Sequence, residues 1–313
     1  MKILKPKKLL NGDLIGLISP ASAVDEISKV EQGVKYFEKL GYKVEVGKNI
    51  GKLHGYLAGS DEERLSDLHY MLRKKEVKAI FCIRGGYGSN RLLNKIDYNL
   101  VKRNPKIFVG YSDITALQLG FFAKTGLITF AGPMLAVDFY SEVNSYAEES
   151  FWTSITSNKP LGKVKMPNGE KLFGLNKGEK IGRIIGGNLA VLSSLIGSKF
   201  LPDLKGKILL LEEIGEAPYR IDRMLSQLSF SNNLDKISGA VLGAFIDCNE
   251  KDPTKSSLTL GEVIEDYFGK LKVPVIYNLS HGHIENNLTI PLGIKVKINS
   301  SRTTLEFSES PVK

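Results

Sequence analysis

The stretch that most constrains this chain is Ile107-Phe108-Val109-Gly110-Tyr111-Ser112-Asp113-Ile114-Thr115-Ala116. Ile107, Phe108 and Val109 form a short β-prone apolar run that stops at a glycine able to turn sharply. After the turn Ile114, Leu117 and Phe121 recur at helical spacing. Such a strand–turn–helix unit sets Ser112 at the carboxyl end of a strand and the amino end of a helix, where ligands bind in open α/β sheets. A backbone N–H there can face a developing oxyanion. The pattern resembles a nucleophile elbow without its second glycine, since Ile114 stands where G-x-S-x-G has Gly. Taken by itself, Ser112 also has a plainer reading, as a helix cap.

The flanking segments repeat the same grammar. Leu14 to Ser19 is a buried strand, and Val24, Ile27, Val30, Val34 and Phe37 mark one helical face, with Leu40 before Gly41. Tyr42 to Val46 is a second strand, so the opening is β-α-β and predicts a parallel sheet with a crossover helix. Ser60-Asp61-Glu62-Glu63 is a capping box ahead of Leu65, Leu68 and Leu72. Ala79 to Ile83 is a strand ending in Arg84-Gly85-Gly86-Tyr87-Gly88-Ser89, whose glycines admit close backbone approach and can offer N–H groups to an anion. The loop matches neither the P-loop nor the dinucleotide fingerprint. Leu127 to Ala131 is the next strand.

From about Tyr140 to Lys180 the chain becomes polar and then rich in Gly, Lys and Pro. With 313 residues, two domains are expected. The division reads as 1–145 for an N-terminal α/β domain, 146–180 for a connection and 181–313 for a C-terminal domain. In that second half Ile208-Leu209-Leu210-Leu211 runs into Glu212-Glu213, and Pro218 opens a helix faced by Ile221, Leu225 and Leu228. Further strands are expected at Ala240 to Ile246 and Val273 to Leu279, with a closing hairpin of Ile294 to Ile298 and Thr303 to Phe307.

Few residues can carry chemistry. Of four histidines, His54 and His69 stand in polar surroundings and read as surface residues, whereas His281 and His283 flank Gly282 just past a strand. Glu212 ends an apolar strand, so it can be partly buried and orient an imidazole; a pair of solvated loop carboxylates is the other reading of Glu212-Glu213. Ser112, Glu212 and His283 are the parts of a hydrolytic triad, while His281, His283 and Glu285 could instead offer a metal two imidazoles and a carboxylate. Cys82 and Cys248 lie far apart in apolar runs and read as buried free thiols. The net charge of +9 is not gathered into a stripe interleaved with aromatics, which argues against nucleic acid. No apolar run has the length of a membrane span, and the lysine-broken start lacks a signal-peptide core, so a cytoplasmic location is expected.

Six ordered motifs together carry a resemblance. They are Arg84-Gly85-Gly86-Tyr87-Gly88, Gly110 to Ala116, Gly132-Pro133-Met134, Gly186-Gly187-Asn188-Leu189, Leu211 to Leu225, and Gly282-His283 followed by Thr289 to Gly293. From about Leu14 to Gly293 the chain resembles the murein LD-carboxypeptidase family of serine peptidases, which also includes microcin-immunity peptidases. The resemblance implies an N-terminal Rossmann-like parallel sheet with flanking helices and a C-terminal β-rich α/β domain. It implies Ser112 as nucleophile, Glu212 and His283 as its partners, His281 outside the triad, and oxyanion donors at the N–H groups of Asp113 and Gly86. Glu213 stands where Asp is common. The implied reaction removes the terminal D-alanine from murein tetrapeptides without a metal or other cofactor, in a homodimer. A peptidyl-nucleotide antibiotic is the alternative substrate, for which the single Trp152 is a thin aromatic platform. Arg84 or Arg223 could hold the substrate carboxylate, on charge alone.

Overall fold

The computed structural model describes residues 2–313. Among the described residues fourteen strands run in chain order as β1 Leu14–Ile18, β2 Lys43–Val46, β3 Val77–Cys82, β4 Ile107–Gly110, β5 Thr129–Ala131, β6 Gly162–Lys163, β7 Phe173–Gly174, β8 Glu179–Asn188, β9 Lys207–Ile214, β10 Gly239–Ile246, β11 Val275–Tyr277, β12 Ile290–Leu292, β13 Lys295–Asn299 and β14 Thr304–Phe307. The α-helices are α1 Ile27–Lys39, α2 Asp61–Arg73, α3 Tyr98–Arg103, α4 Thr115–Thr125, α5 Leu135–Asp138, α6 Ser145–Thr156, α7 Leu189–Ser194, α8 Pro218–Phe230 and α9 Leu260–Ile264.

Two sheets result. The first has the order β12-β5-β4-β3-β1-β2, with β5, β4, β3, β1 and β2 parallel. Its strand order reverses between β1 and β3, so the loops leaving those two strands flank the switch point where open α/β sheets bind ligands. The second sheet, β6-β14-β13-β8-β9-β10-β11-β7, is parallel across β8 to β11 and antiparallel at its outer strands. The expected strands, the capping box of Ser60 and Glu63, and Pro218 in the first turn of α8 are all present.

Two features depart from the expectations. The segment 146–180 is not a bare connection: α6 buries Ala147, Phe151, Ser154 and Ile155, and Trp152 stacks on Tyr42 with centroids 5.1 Å apart. The same segment gives β6 and β7 to the second sheet. The other departure is β12, which lies in the second half of the chain yet pairs antiparallel with β5 at the edge of the first sheet. A proline sits in it, as an edge strand tolerates. Both buried apolar clusters draw on both halves; Phe108 and Leu211 share one, Phe130 and Leu210 the other. Among the described residues no helix is long and apolar enough to cross a membrane.

Candidate active site

Strand β4 ends at Gly110, and Ser112 to Ile114 make one 3₁₀ turn before α4. Ser112 has φ of +62°, a left-handed conformation that costs a non-glycine residue energy and recurs at functional turns. The glycine loop leaving β3 lies directly over it. A Cβ on Gly85 would stand 3.0 Å from Ser112 Cβ, 3.1 Å from Ser112 Oγ and 3.4 Å from the Asp113 nitrogen, so only glycine leaves this approach open.

The side chain of Asp113 ties the two segments. Its Oδ2 accepts from Ser89 N–H at 2.8 Å and its Oδ1 from Gly88 N–H at 3.3 Å, while Ser89 Oγ donates to the Asp113 carbonyl at 2.6 Å. Burial raises the Asp113 carboxyl above its ordinary range, and the Ser89 and Gly88 donors oppose that. From α2, the fully buried Arg64 reaches the same loop: Nη1 donates to the carbonyls of Pro20 at 2.5 Å and Gly88 at 2.9 Å, and Nη2 to Asp61 at 2.6 Å.

Glu212 and Glu213 lie within β9 and both are buried, so the solvated-pair reading falls. Glu213 is saturated: it accepts from Asn188 Nδ2 and Ile214 N–H through Oε1 and from Ala190 N–H through Oε2. Burial raises its carboxyl, and those donors oppose the rise. Glu212 faces the other way. Its Oε2 lies 2.8 Å from His283 Nδ1, and its Oε1 is buried with no protein partner. A β-bulge makes room for this pair. Leu242 pairs with Leu211 and Phe245 with Glu213, one residue too many on β10, and there Ala244 N–H donates to the His281 carbonyl. Gly282, with φ of +125°, then passes so close that a Cβ would meet Glu212 Oε2 at 2.9 Å.

His283 is half-buried, and its ring packs edge-on against Tyr111, centroids 5.1 Å apart. The imidazole thus sits beside the residue that precedes Ser112. Among the described hydrogen bonds none joins Ser112 to His283 directly. His281 has a different fate: it is buried, its Nδ1 is engaged with the Leu288 carbonyl, and burial lowers its pKa. Glu285 is exposed. No group of three or more His, Cys, Asp or Glu side chains is gathered for a metal among the described residues.

Asp138, which the sequence did not single out, completes the surroundings. It ends α5, accepts from Met134 N–H at 2.7 Å, and is pushed by burial up to about 6 against the pull of that donor and of His283. A cavity of about 550 Å³ beside it is lined also by Glu142, Asn144, Ser145 and Glu285. The two arginines considered for a substrate carboxylate each have neighbours of their own. Arg84 donates to Asp25 and the Ala23 carbonyl, and Arg223 lies exposed over the ring of Tyr219. Cys82 and Cys248 are free and buried.

Comparison with known proteins gives the arrangement a context. Residues 15–132 match the LD-carboxypeptidase N-terminal domain, and residues 181–298 match the LD-carboxypeptidase C-terminal domain. A probable murein peptide carboxypeptidase of Bacillus subtilis is 39% identical over 306 residues, covering 96% of this chain and 93% of that protein. A microcin C7 self-immunity protein, solved with aspartyl sulfamoyl adenosine, superposes with a TM-score of 0.90 at 29% identity, covering 99% of this chain and 100% of that one. A muramoyltetrapeptide carboxypeptidase of Oxalobacter formigenes superposes with a TM-score of 0.82 at 28% identity, covering 94% and 97%.

Proposed function

The chain belongs to the LD-carboxypeptidase family and is a carboxypeptidase, and from that premise we propose that it is a serine enzyme removing D-alanine from murein tetrapeptides to leave tripeptides. The observation that carries this reading is the 2.8 Å contact between a buried strand-end carboxylate, Glu212, and the imidazole of His283, set beside the turn of Ser112. A carboxylate on Nδ1–H fixes the tautomer and leaves Nε2 free to take a proton.

In the proposed reaction Ser112 Oγ attacks the carbonyl carbon of the L-diamino acid as its proton passes to His283. The N–H groups of Gly86 and Asp113 hold the oxyanion. Collapse breaks the C–N bond, and His283 returns the proton to the departing D-alanine amine. Water then attacks the acyl-serine with His283 as base. Serine–histidine distances that are long without substrate and shorten with it are usual for such sites. The acid-lined cavity near His283 suits a substrate bearing an amino group. The enzyme works in the cytoplasm on recycled wall peptides, as a homodimer. Its working parts are an N-terminal domain over 1–145 that carries Ser112 and a C-terminal domain over 181–313 that carries Glu212 and His283.

A second reading, cleavage of a peptidyl-nucleotide antibiotic, draws on the higher TM-score of the self-immunity protein. Against it, Trp152 is packed on Tyr42 and donates to the Tyr36 hydroxyl, so it offers no open platform for a base. Incubation with murein tetrapeptide, followed by mass, tests the first reading. The wild type should release one alanine, and Ser112→Ala should lose more than about 10³-fold in rate while keeping its fold. Equal release by the variant rejects Ser112 as nucleophile. Release from a peptidyl-nucleotide alone moves the substrate to the second reading.

A further inference from the structure

The fully buried Arg64 has no place in the reaction just described. Its sequence context, Ser60-Asp61-Glu62-Glu63-Arg64, is the solvated first turn of a helix. Instead its guanidinium is taken out of water, which costs several kcal/mol for a charged group and which an apolar side chain would avoid. Its Nε has no partner at all. The charge is held on one side by Asp61, itself bound by Arg91 Nε at 2.9 Å and Lys95 Nζ at 3.2 Å. On the other side it reaches backbone alone, the carbonyls of Pro20 and Gly88. Pro20 belongs to the loop after β1 and Gly88 to the loop after β3, so Arg64 joins the two loops that flank the switch point.

Gly88 is thereby gripped at both ends of its backbone. Its carbonyl is fixed by Arg64 and its N–H by the carboxylate of Asp113. Two residues upstream lies Gly86, and one residue upstream of Asp113 lies Ser112. The loop after β1 adds a third hold, for Ser22 N–H donates to the Gly85 carbonyl and Ser22 Oγ accepts from Tyr87 N–H. A glycine-rich loop has many backbone conformations open to it, and these bonds reduce them to one.

We infer that Arg64 and the carboxylate of Asp113 are positioning residues that lock the glycine loop to the nucleophile turn, and so hold the two oxyanion donors at a fixed separation. This rests on the serine-nucleophile reading above. An oxyanion hole stabilises charge only if its donors are in place before the charge forms, so loosening the clamp should affect the chemical step more than binding.

A fluorophosphonate probe tests this without presuming the peptide substrate. Ser112 Oγ–P forms as P–F breaks, fluoride leaves, the serine proton passes to His283, and the P=O oxygen takes the oxyanion position. Arg64→Met should slow this labelling about 10- to 100-fold, less than the outright removal of a donor. The pH midpoint of labelling should stay where it is in the wild type. Arg64→Lys, able to hold one carbonyl, should recover part of the rate. Should Arg64→Met fail to fold, Arg64→Gln, which keeps an amide donor for one carbonyl but cannot reach both, should slow labelling about 3- to 10-fold. Labelling at the wild-type rate in a folded variant overturns the clamp. So does a rate loss accompanied by a shifted pH midpoint, since the effect would then run through the imidazole. A wild type that takes no label at Ser112 overturns the nucleophile reading, and the clamp with it.

Discussion

The two halves of the candidate site are built on opposite plans. In the N-terminal half the turn of Ser112 is held by several bonds: Asp113 accepts two loop N–H groups at its carboxylate and the Ser89 hydroxyl at its carbonyl, and Arg64 holds the loop from the far side. In the C-terminal half Glu212 holds His283 by one bond and leaves its other oxygen without a partner. The contrast repeats within one strand, since Glu213, one residue on, has both oxygens occupied by three donors. In the proposed reaction the groups that would stay still are over-determined, whereas the imidazole that would gain and lose a proton is held by a single acid.

The largest expected effect breaks that single bond's chemistry while keeping its shape. Glu212→Gln should lower kcat by about 10³- to 10⁴-fold, because an amide selects the wrong imidazole tautomer, and should leave the unfolding midpoint nearly unchanged. A variant within tenfold of wild type would show that Glu212 does not orient His283. Glu213→Ala should do the reverse. Three donors would lose their acceptor, costing about 2–4 kcal/mol of stability by urea titration, with kcat of the folded protein within about tenfold of wild type. Matching losses of activity in the two glutamate variants would erase the distinction between them.

The smallest effect concerns Asp138, a second acid whose charge is felt by His283. Burial raises it to about 6, so the folded protein binds its proton at higher pH than the unfolded chain does. The sign follows: stability falls as pH rises from about 4, the ordinary value, to about 6. Asp138→Asn keeps an acceptor for Met134 N–H and should stabilise by about 1–2 kcal/mol at about pH 8, a gain that vanishes at about pH 4 and below. Urea midpoints at the two pH values check this, and an equal gain at both would mean that the carboxyl does not titrate between them.

The sequence exposed the parts whose local signals are strong. The strand before Ser112 and the glycines of 85–88 stood out from short-range pattern. So did the acid at the end of an apolar run, though not the contact it makes with His283. The order of six motifs then supplied roles that spacing cannot. What stayed hidden depends on distant partners. Arg64 sits in an acidic helix start and looks solvated until Gly88 and Pro20 close over it. Helix α6 had a signal in Ala147, Phe151, Ser154 and Ile155, spaced for one face, but Ser, Glu and Thr around it diluted the pattern. Strand β12 is three residues with a proline, too short for any periodicity, and its partner lies more than half the chain away.

That edge strand has a consequence for how the protein is made. The parallel strands of the first sheet are all synthesised by residue 131, yet β5 keeps an open edge until residues 290–292 arrive to pair with it. While residues 132–289 are being made, then, β5 remains an uncovered edge, a template for pairing with a neighbour. Strand β5 is only three residues long, which limits that hazard. Residues 290–292 must be made before β5 is covered, so completion of the sheet waits on a segment about 160 residues further along the sequence.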